Sequence, residues 1–156
     1  MNSEICREAS AEDIGSLMPL MSAFCEHFYY RSSETQKRAD VLNFLAQPQL
    51  GRIFLVLDQS TVAGYVVLAF SFSLEYGGPT AFIDEFFIGA AGRGHGLGGH
   101  ALKFIEGVAR DMGLKALLLE AEDTNPRAAA LYEKAGYVCL NRRLMTRALD
   151  PTGGYK

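Results

Sequence analysis

Four glycines fall within six consecutive positions of the segment Arg93-Gly94-His95-Gly96-Leu97-Gly98-Gly99. This segment lies between an apolar run typical of a strand and a run with helical periodicity. Glycine lets a backbone approach a bound group closely, and the first N–H groups of a helix have no partner within that helix and bind anions. The sequence therefore predicts a loop that binds a phosphorylated ligand.

Two common phosphate-binding loops fit this segment less well. Gly94, Gly96 and Gly99 satisfy the GxGxxG spacing of a dinucleotide-binding loop, and Glu120 or Glu122 lies near the position expected for the ribose-binding acid. That fold, however, needs a preceding strand buried on both faces of a parallel sheet, whereas this strand carries adjacent acids and closes an antiparallel meander. A Walker loop is excluded, since no Lys-Ser or Lys-Thr follows the glycines.

The elements that position this loop follow from periodicity and turn residues. A short strand at residues 4–9, a helix that starts at about Ser10 and a weaker helix over about 33–45 precede it. Three apolar runs with short connections then predict an antiparallel meander. These runs cover residues 53–57, 62–74 and 81–88.

The elements after the loop alternate between helix and strand. A helix follows the glycines and ends near Gly113, and residues 115–121 are typical of a strand. Pro126, preceded by residues that cap helices, indicates a helix start at Thr124 or Asn125. Residues 137–140 and 143–147 can form final strands, and a flexible tail is expected from about residue 149.

Composition and charge narrow the function classes. A chain of 156 residues and 17.1 kDa, with 49% hydrophobic and 21% charged residues, predicts one packed domain over residues 1–156. A formal net charge of −3 without a basic run argues against DNA or RNA as a partner. No apolar run approaches the ~20 residues that span a bilayer, and the N-terminus lacks the pattern of a signal peptide. We expect a cytoplasmic protein without a membrane partner.

Cysteine and histidine spacing gives no sign of a metal site. Cys6, Cys25 and Cys139 are widely scattered without CxxC spacing, which predicts small core side chains in a reducing compartment. The three histidines also lack the spacing of metal ligands, so no metal is expected. These histidines are His27, His95 and His100.

In its loop and in the helix that follows Asn125, the chain resembles the GCN5-related N-acetyltransferase (GNAT) superfamily. The phosphate loop of that family has the form Arg/Gln-x-x-Gly-x-Gly/Ala, which Arg93, Gly96 and Gly98 match. A second family segment is an Asn before a helix that carries a Leu-Tyr pair and ends in Gly-Tyr or Gly-Phe. Its matches here are Asn125, Leu131-Tyr132 and Gly136-Tyr137.

This resemblance implies an α/β fold with a mixed, mostly antiparallel central sheet flanked by helices on both faces. It also implies direct transfer of an acetyl group from acetyl-CoA, bound where two neighbouring strands separate, to a primary amine. The main chain of three strand residues, the glycine loop and part of the later helix would bind the cofactor. These cofactor-binding residues are Phe86, Phe87, Ile88, Arg93, Gly94, His95, Gly96, Leu97, Gly98, Gly99, Asn125, Leu131 and Lys134.

Two adjacent acids, Asp84 and Glu85, are the candidates for proton removal from the amine, because a free alkylammonium group titrates near pH ~10. Alternation along a strand points them to opposite faces, so one of the two is expected to enter the site, and we prefer Glu85. The surrounding residues 83–88 are similar to the spermidine/spermine N-acetyltransferase branch, in which the first of two acids helps hold the amine. This similarity favours Asp84 as the acid that holds the amine, although the order of the two acids is reversed here.

Tyr132 matches the family tyrosine that returns a proton to the departing CoA thiolate. Each catalytic or binding assignment also has a structural alternative: helix capping for Asn125, an ion pair for either acid and core packing for Tyr132. Residues in segments that border the acceptor pocket in this family would favour a cationic amine. They are Glu26, Tyr29, Tyr30, Glu75 and Tyr76.

The resemblance leaves the acceptor open. A small amine or polyamine is the first expectation, and an aminoglycoside-like compound, an amino acid or a protein amino group are alternatives. A non-catalytic acyl-CoA-binding module is the alternative from another class, and pairing of two subunits through a strand edge near the C-terminus also fits the resemblance.

Overall fold

The computed structural model describes residues 5–28 and 33–150. Its sheet has five strands in the order β1-β2-β3-β4-β5, in which the first four are antiparallel and β5 pairs with β4 in parallel. The expected mixed, mostly antiparallel sheet and its central meander are thereby confirmed. The strands are β1 (Cys6–Glu8), β2 (Gly51–Asp58), β3 (Thr61–Ser73), β4 (Gly78–Ile88) and β5 (Leu117–Leu119).

In the described ranges, four helices cover the two faces of the sheet, as expected. They are α1 (Ile14–Phe28), α2 (Glu34–Leu45), α3 (Leu97–Asp111) and α4 (Pro126–Lys134). The side chains of Ser33 and Asn125 accept hydrogen bonds from the first turns of α2 and α4, and a capping box at Ser10 begins the short 3-10 helix that leads into α1. The helix start that sequence placed at Thr124 or Asn125 is therefore Asn125.

Alternation along the strands separates two apolar layers. On one face Phe54, Val66 and Ile83 are buried against α3, and on the other Leu55, Tyr65 and Phe87 are buried against α1 and α2. We call these faces the α3 layer and the α1 layer. Residues that succeed one another in β4 therefore normally enter different layers.

A β-bulge interrupts this alternation in the middle of β4. Val67 of β3 pairs with Glu85, whereas its neighbour Leu68 pairs with Ile83. Asp84 is thus an extra residue without a counterpart on β3, and it shifts the facing of the residues after it by one position.

The last part of the chain differs from expectation. The final strands predicted at 137–140 and 143–147 do not form, and every residue from 138 to 149 is exposed. None of residues 110–150, all of which the structure describes, is buried. A strand needs a partner to bond its backbone, and in this chain the segment after Tyr137 bonds to no strand.

Because residues 138–149 are exposed, the prediction that all three cysteines are core side chains is wrong for Cys139. Cys6 is buried as expected and Cys25 is half-buried, but Cys139 is exposed, and all three are free thiols. In residues 5–28 and 33–150 no helix combines the length and the apolar character needed to cross a bilayer. The same residues contain no group of three or more His, Cys, Asp or Glu side chains placed to hold a metal ion.

Candidate active site

The glycine loop connects β4 to α3 and leaves backbone donors unpaired. Gly94 and Gly96 have φ values of +85° and +75°, which favour glycine, and Gly96 directly precedes the first helical residue. The first backbone hydrogen bond of this helix runs from the N–H of His100 to the carbonyl of Gly96, at 3.2 Å. The N–H groups of Leu97, Gly98 and Gly99 precede that bond, so they are available to an anion at the helix N-terminus.

Two loop glycines also set the distance between α3 and α4. A Cβ on Gly98 would lie 3.1 Å from Leu131 Cδ2 and 3.8 Å from the ring of Phe86, and a Cβ on Gly99 would lie 4.0 Å from Leu131. A side chain at position 98 would therefore crowd Leu131, whereas one at position 99 would make an ordinary contact with it. This packing places α4 next to the unpaired donors.

Gly98→Ala is expected to weaken binding of CoA about tenfold, because the added methyl group displaces Leu131 and with it the wall of the loop. Gly107→Ala is the matched control, since Gly107 lies in the same helix with nothing within 4 Å of its would-be Cβ. The control should stabilise the fold by about 0.5–1 kcal/mol and leave CoA affinity unchanged. Isothermal titration calorimetry with CoA measures both affinities, and equal affinities in the two variants would contradict this function of Gly98.

Arg93 and His95 attach the loop to the sheet. Arg93 Nε donates to the carbonyl of Ile88 at 3.0 Å, and its guanidinium lies 5.5 Å from the centroid of the Phe87 ring. His95 Nδ1 lies 3.2 Å from Oδ2 of Asp58, the last residue of β2. The two side chains therefore connect the loop to the C-terminal ends of β4 and β2.

The strands β4 and β5 separate just before this loop. Their parallel pairing ends at Ile83 and Leu119, and β4 continues to Ile88 with pairing to β3 alone. The other edge of Phe86, Phe87 and Ile88 consequently offers main-chain groups to an extended ligand. The side chains of Phe86 and Phe87 pack into the α3 and α1 layers respectively, so any binding by these residues involves their backbone.

The bulge brings Asp84 and Glu85 to the same face. Ile83 and Phe86 on either side of the two acids both pack into the α3 layer, while Glu85 bonds to Tyr65 in the α1 layer. The negative charge of Asp84 contributes to the raised pKa of both Tyr65 and Lys37, so its carboxylate is within electrostatic range of the two partners of Glu85. The expectation of opposite faces was wrong, because it assumed regular alternation through the bulge.

Both oxygens of Glu85 are engaged. Lys37 Nζ of α2 donates to Oε1 at 2.9 Å, and Tyr65 Oη donates to Oε2 at 2.7 Å. Burial is the largest single effect on the pKa of Lys37 and would lower it, but the charge of Glu85, the hydrogen bond to Glu85 and smaller effects of nearby charges together raise that pKa. Burial and the charge of Glu85 raise the pKa of Tyr65, so both donors keep their protons at neutral pH.

Asp84 differs from its neighbour in having an unengaged carboxylate. It is exposed at the surface of β4, and no residue in the described part of the chain forms a hydrogen bond or ion pair with its side chain. Partial burial of the carboxyl group, followed by repulsion from Glu85, raises its pKa despite the opposing charge of Lys37. A carboxylate that is open to an incoming group and has a raised pKa is suited to accept a proton.

Tyr132 lies on the other side of β4. Its ring centroid is 6.4 Å from that of Phe86 and 6.0 Å from that of Tyr137, at the cleft where β4 leaves β5. Burial raises the pKa of the Tyr132 hydroxyl, and none of the described residues bonds to it. Tyr132 can therefore donate its proton to a group in the cleft. Asn125 Oδ1 accepts from Ala128 N at 3.1 Å, which confirms its capping role.

The remaining predicted site residues are dispersed. Glu26 is exposed near the end of α1, Lys134 is exposed at the end of α4, and Tyr29 and Tyr30 lie outside the described residues. Glu75 and Tyr76 lie in the β3–β4 hairpin, about 24 Å along β4 from Glu85 at 3.4 Å per residue. Within one chain the structure does not bring the hairpin residues beside the two acids.

Sequence reasoning missed Lys37 and Tyr65. Tyr65 interrupts an apolar strand, and a phenol that is fully buried needs a hydrogen-bond partner, which was a signal that could have been used. Lys37 gave no such signal, because it is one of several polar residues on a weakly patterned helix.

Comparisons with known proteins agree with this geometry. A model of the acetyltransferase (GNAT) family matches residues 17–137. An uncharacterized N-acetyltransferase of Bacillus subtilis, YhfO, is 27% identical over 131 residues, which cover 84% of this chain and 87% of that protein. A thialysine N-ε-acetyltransferase of Bos taurus is 27% identical over 148 residues, which cover 83% of this chain and 81% of that protein.

A solved structure gives the same result. The integron cassette protein HFX_CASS3, from the mobile metagenome of Cole Harbour Salt Marsh, superposes with a TM-score of 0.84 at 34% identity, covering 96% of this chain and 93% of that chain. With the loop, the separated strands and the family match over most of its length, the chain belongs to the GNAT family of N-acetyltransferases, whose co-substrate is acetyl-CoA.

Proposed function

We propose that this protein transfers the acetyl group of acetyl-CoA directly to the primary amine of a small amine or polyamine. The observation that carries the proposal is the β4 bulge, which turns Asp84 and Glu85 to one face at the point where β4 separates from β5. Two adjacent carboxylates attract a cation, and their position beside the cleft suits an amine that must reach a thioester there.

The residues of the cleft fit acetyl-CoA. The unpaired N–H groups of Leu97, Gly98 and Gly99 suit its diphosphate, and the free edge of Phe86–Ile88 suits the amide groups of its extended arm. When bound, the co-substrate supplies an acetyl thioester. We propose direct transfer, in which the amine attacks the thioester without a covalent enzyme intermediate.

The two acids have different roles in this proposal. Glu85, fixed by Lys37 and Tyr65, is a positioning residue whose charge helps hold the ammonium group. Asp84, whose carboxylate is open and whose pKa is raised, removes the proton that an alkylammonium group must lose before it attacks. Tyr132 keeps its proton because burial raises its pKa, and it donates that proton to the departing thiolate.

Charge around the acids supports a cationic acceptor. Asp84 and Glu85 together outweigh the single positive charge of Lys37, so the cluster is net negative when both acids are ionised. The bovine relative is named for the ε-nitrogen of thialysine, which adds the side-chain amine of an amino acid to the candidate acceptors.

An acceptor panel at saturating acetyl-CoA tests the proposal. Release of free CoA thiol and an added acetyl group detected by mass spectrometry would be measured with a diamine, a polyamine, lysine, thialysine, an aminoglycoside and a lysine-containing peptide. We expect the highest kcat/KM with the diamine or polyamine. Turnover confined to the amino acids, the aminoglycoside or the peptide would refute the acceptor class. Tight acetyl-CoA binding without turnover of any amine would instead identify a non-catalytic acyl-CoA-binding module.

Lys37→Gln is expected to lower KM for a diamine about fivefold, because the variant no longer neutralises Glu85 with its own ammonium group. Loss of this ion pair should also lower the free energy of unfolding by about 1–3 kcal/mol. Lys103→Gln, at an exposed lysine of α3, is the control and should change neither quantity. A KM that rises in Lys37→Gln would contradict competition between Lys37 and the acceptor.

A further inference from the structure

Lys37 places a primary amine of the protein itself beside the two acids of β4. Its Nζ, at the end of a side chain from α2, donates to Glu85 Oε1 at 2.9 Å, and that side chain is 21% exposed. The negative charge of Asp84 also acts on this amine. The ammonium group of Lys37 therefore occupies a position in which the proposed function holds the ammonium group of an acceptor.

The side chain of Lys37 is also chemically similar to the proposed acceptor. Lysine ends in a primary amine on a flexible four-carbon stem, as a short diamine does. Rotation about the bonds of this stem can move Nζ from Glu85 towards its neighbour Asp84, whose carboxylate has no partner among the described residues. Both acids directly precede Phe86, where the free edge of β4 begins. Lys37 therefore meets the proposed base next to the edge that suits the extended arm of the coenzyme.

The other lysines that the structure describes lie elsewhere on the molecule. Lys103 belongs to α3, which covers the opposite face of the sheet, Lys134 ends α4, and Lys115 lies at the other end of β4 from the two acids. All three are exposed. Uncatalysed acetylation favours exposed amines that lose their proton readily, whereas Glu85 keeps Lys37 protonated. Acetylation of Lys37 ahead of these three lysines therefore requires the active site.

We propose that the protein acetylates Lys37 in its own active site when acetyl-CoA is bound and no acceptor is present. Lys37 Nζ gives up one proton to Asp84 and attacks the carbonyl carbon of the thioester, which forms an N–C bond and breaks the C–S bond. Tyr132 donates its proton to the departing thiolate, and the second proton that the nitrogen loses replaces it. The products are an Nε-acetylated Lys37 and free CoA. The inference rests on the proposed function for the roles of Asp84 and Tyr132, and not on which free amine is accepted.

Acetylation of Lys37 changes the charge that an acceptor meets. Two ionised carboxylates and one ammonium group give the cluster a charge of −1, and loss of the ammonium charge leaves −2. Glu85 then lacks the partner that competes with a cationic acceptor. Because acetyl-lysine and glutamine are both neutral amides, the KM of the modified protein for a diamine should fall about fivefold, as expected for Lys37→Gln. Self-acetylation therefore prepares the site for a cationic acceptor.

Mass spectrometry of each lysine tests the proposal. The full chain is incubated with acetyl-CoA and no amine at several protein concentrations, and it is then digested with a protease that cleaves at acidic residues. We expect Lys37 to be acetylated at least about tenfold faster than Lys103, Lys115 or Lys134, with a rate constant that does not depend on protein concentration. Acetylation of the exposed lysines at an equal or higher rate overturns the proposal. A rate constant that rises with protein concentration also overturns it, because the reaction would then join two molecules.

Asp84→Asn tests whether the active site performs this reaction. The variant should lower the rate at Lys37 about 10²-fold and leave the slow acetylation of Lys103 unchanged, because only the reaction at Lys37 needs the base. Asp111→Asn, at an exposed acid of α3, is the matched control and should modify Lys37 at the unaltered rate. Near-UV circular dichroism confirms that both variants keep the packed core. A folded Asp84→Asn protein that modifies Lys37 at the full rate overturns the proposal.

A diamine added to the same mixture separates self-acetylation from the proposed function. Saturating diamine should slow the acetylation of Lys37 at least about tenfold, because both amines compete for the same two acids. A protein that turns over the diamine but leaves Lys37 unmodified when the diamine is absent overturns self-acetylation and leaves the proposed function intact. Acetylation of Lys37 without turnover of any added amine would support self-acetylation and refute the proposed acceptor class.

Discussion

Asp84→Asn is expected to lower kcat by about 10²-fold or more, because the amide cannot accept the proton of the attacking ammonium group. The acidic limb of the pH–rate profile should be absent in this variant. In the unaltered protein activity rises with pH as Asp84 loses its proton, and the raised pKa of this carboxyl moves that limb above the ordinary range for an aspartate. Rates measured from pH 4 to 10 with saturating acetyl-CoA test both expectations.

Glu85→Gln provides the contrast within the same cluster. The substitution removes the charge that helps raise the pKa of Asp84, so the acidic limb should shift to lower pH while most of kcat is retained. KM for the amine should rise, because one of the two negative charges near it is lost. If Glu85→Gln abolished the limb and Asp84→Asn preserved it, the roles of the two acids would be exchanged. Asp111→Asn, at an exposed acid of α3, should leave all of these quantities unchanged.

Tyr132→Phe is expected to reduce kcat about 10²-fold with little change in KM for acetyl-CoA, because the ring stays beside Phe86 and only the hydroxyl is lost. Burial raises the pKa of Tyr132, so its proton remains available into the alkaline range. Steady-state kinetics of the variant with varied acetyl-CoA separates kcat from KM.

Tyr137→Phe is the matched control for this substitution. Its ring is 6.0 Å from that of Tyr132, and burial, with the nearby charges of Glu106 and Tyr132, raises its pKa to about 12. The Tyr137 hydroxyl is buried and has no hydrogen-bond partner in the described residues, so its removal should stabilise the fold by about 1 kcal/mol. Activity should be unchanged, and an equal loss of kcat in both variants would show that Tyr132 acts only through packing.

Local signals in the sequence sufficed for most of the scaffold. The start of α2 near residue 33, the Asn125 cap, the glycines before α3 and the order of strands β2 to β4 depend on neighbours within a few residues. The structure has each of them where the sequence indicates. Residues 137–140 and 143–147 were predicted as strands because their composition is typical of strands. Strand formation depends on a partner, however, and composition carries no information about where a partner lies.

The candidate active site also depends on contacts between elements, which sequence patterns do not give. Asp84 and Glu85 were identified as candidates by their chemistry, but their shared facing depends on one unpaired residue in the ladder between β3 and β4. Lys37 reaches Glu85 across 48 positions of sequence. Neither fact follows from periodicity, which describes an element by itself and not its register against another.

Because Asp84 is the extra residue of the bulge, it contributes little to the packing of either layer, and substitutions there leave Phe86 and Phe87 in register. Selection at this position is therefore expected to act through proton transfer alone and not through stability of the fold. A descendant of this scaffold that lost the carboxylate would still recognise the coenzyme but would no longer turn over amines.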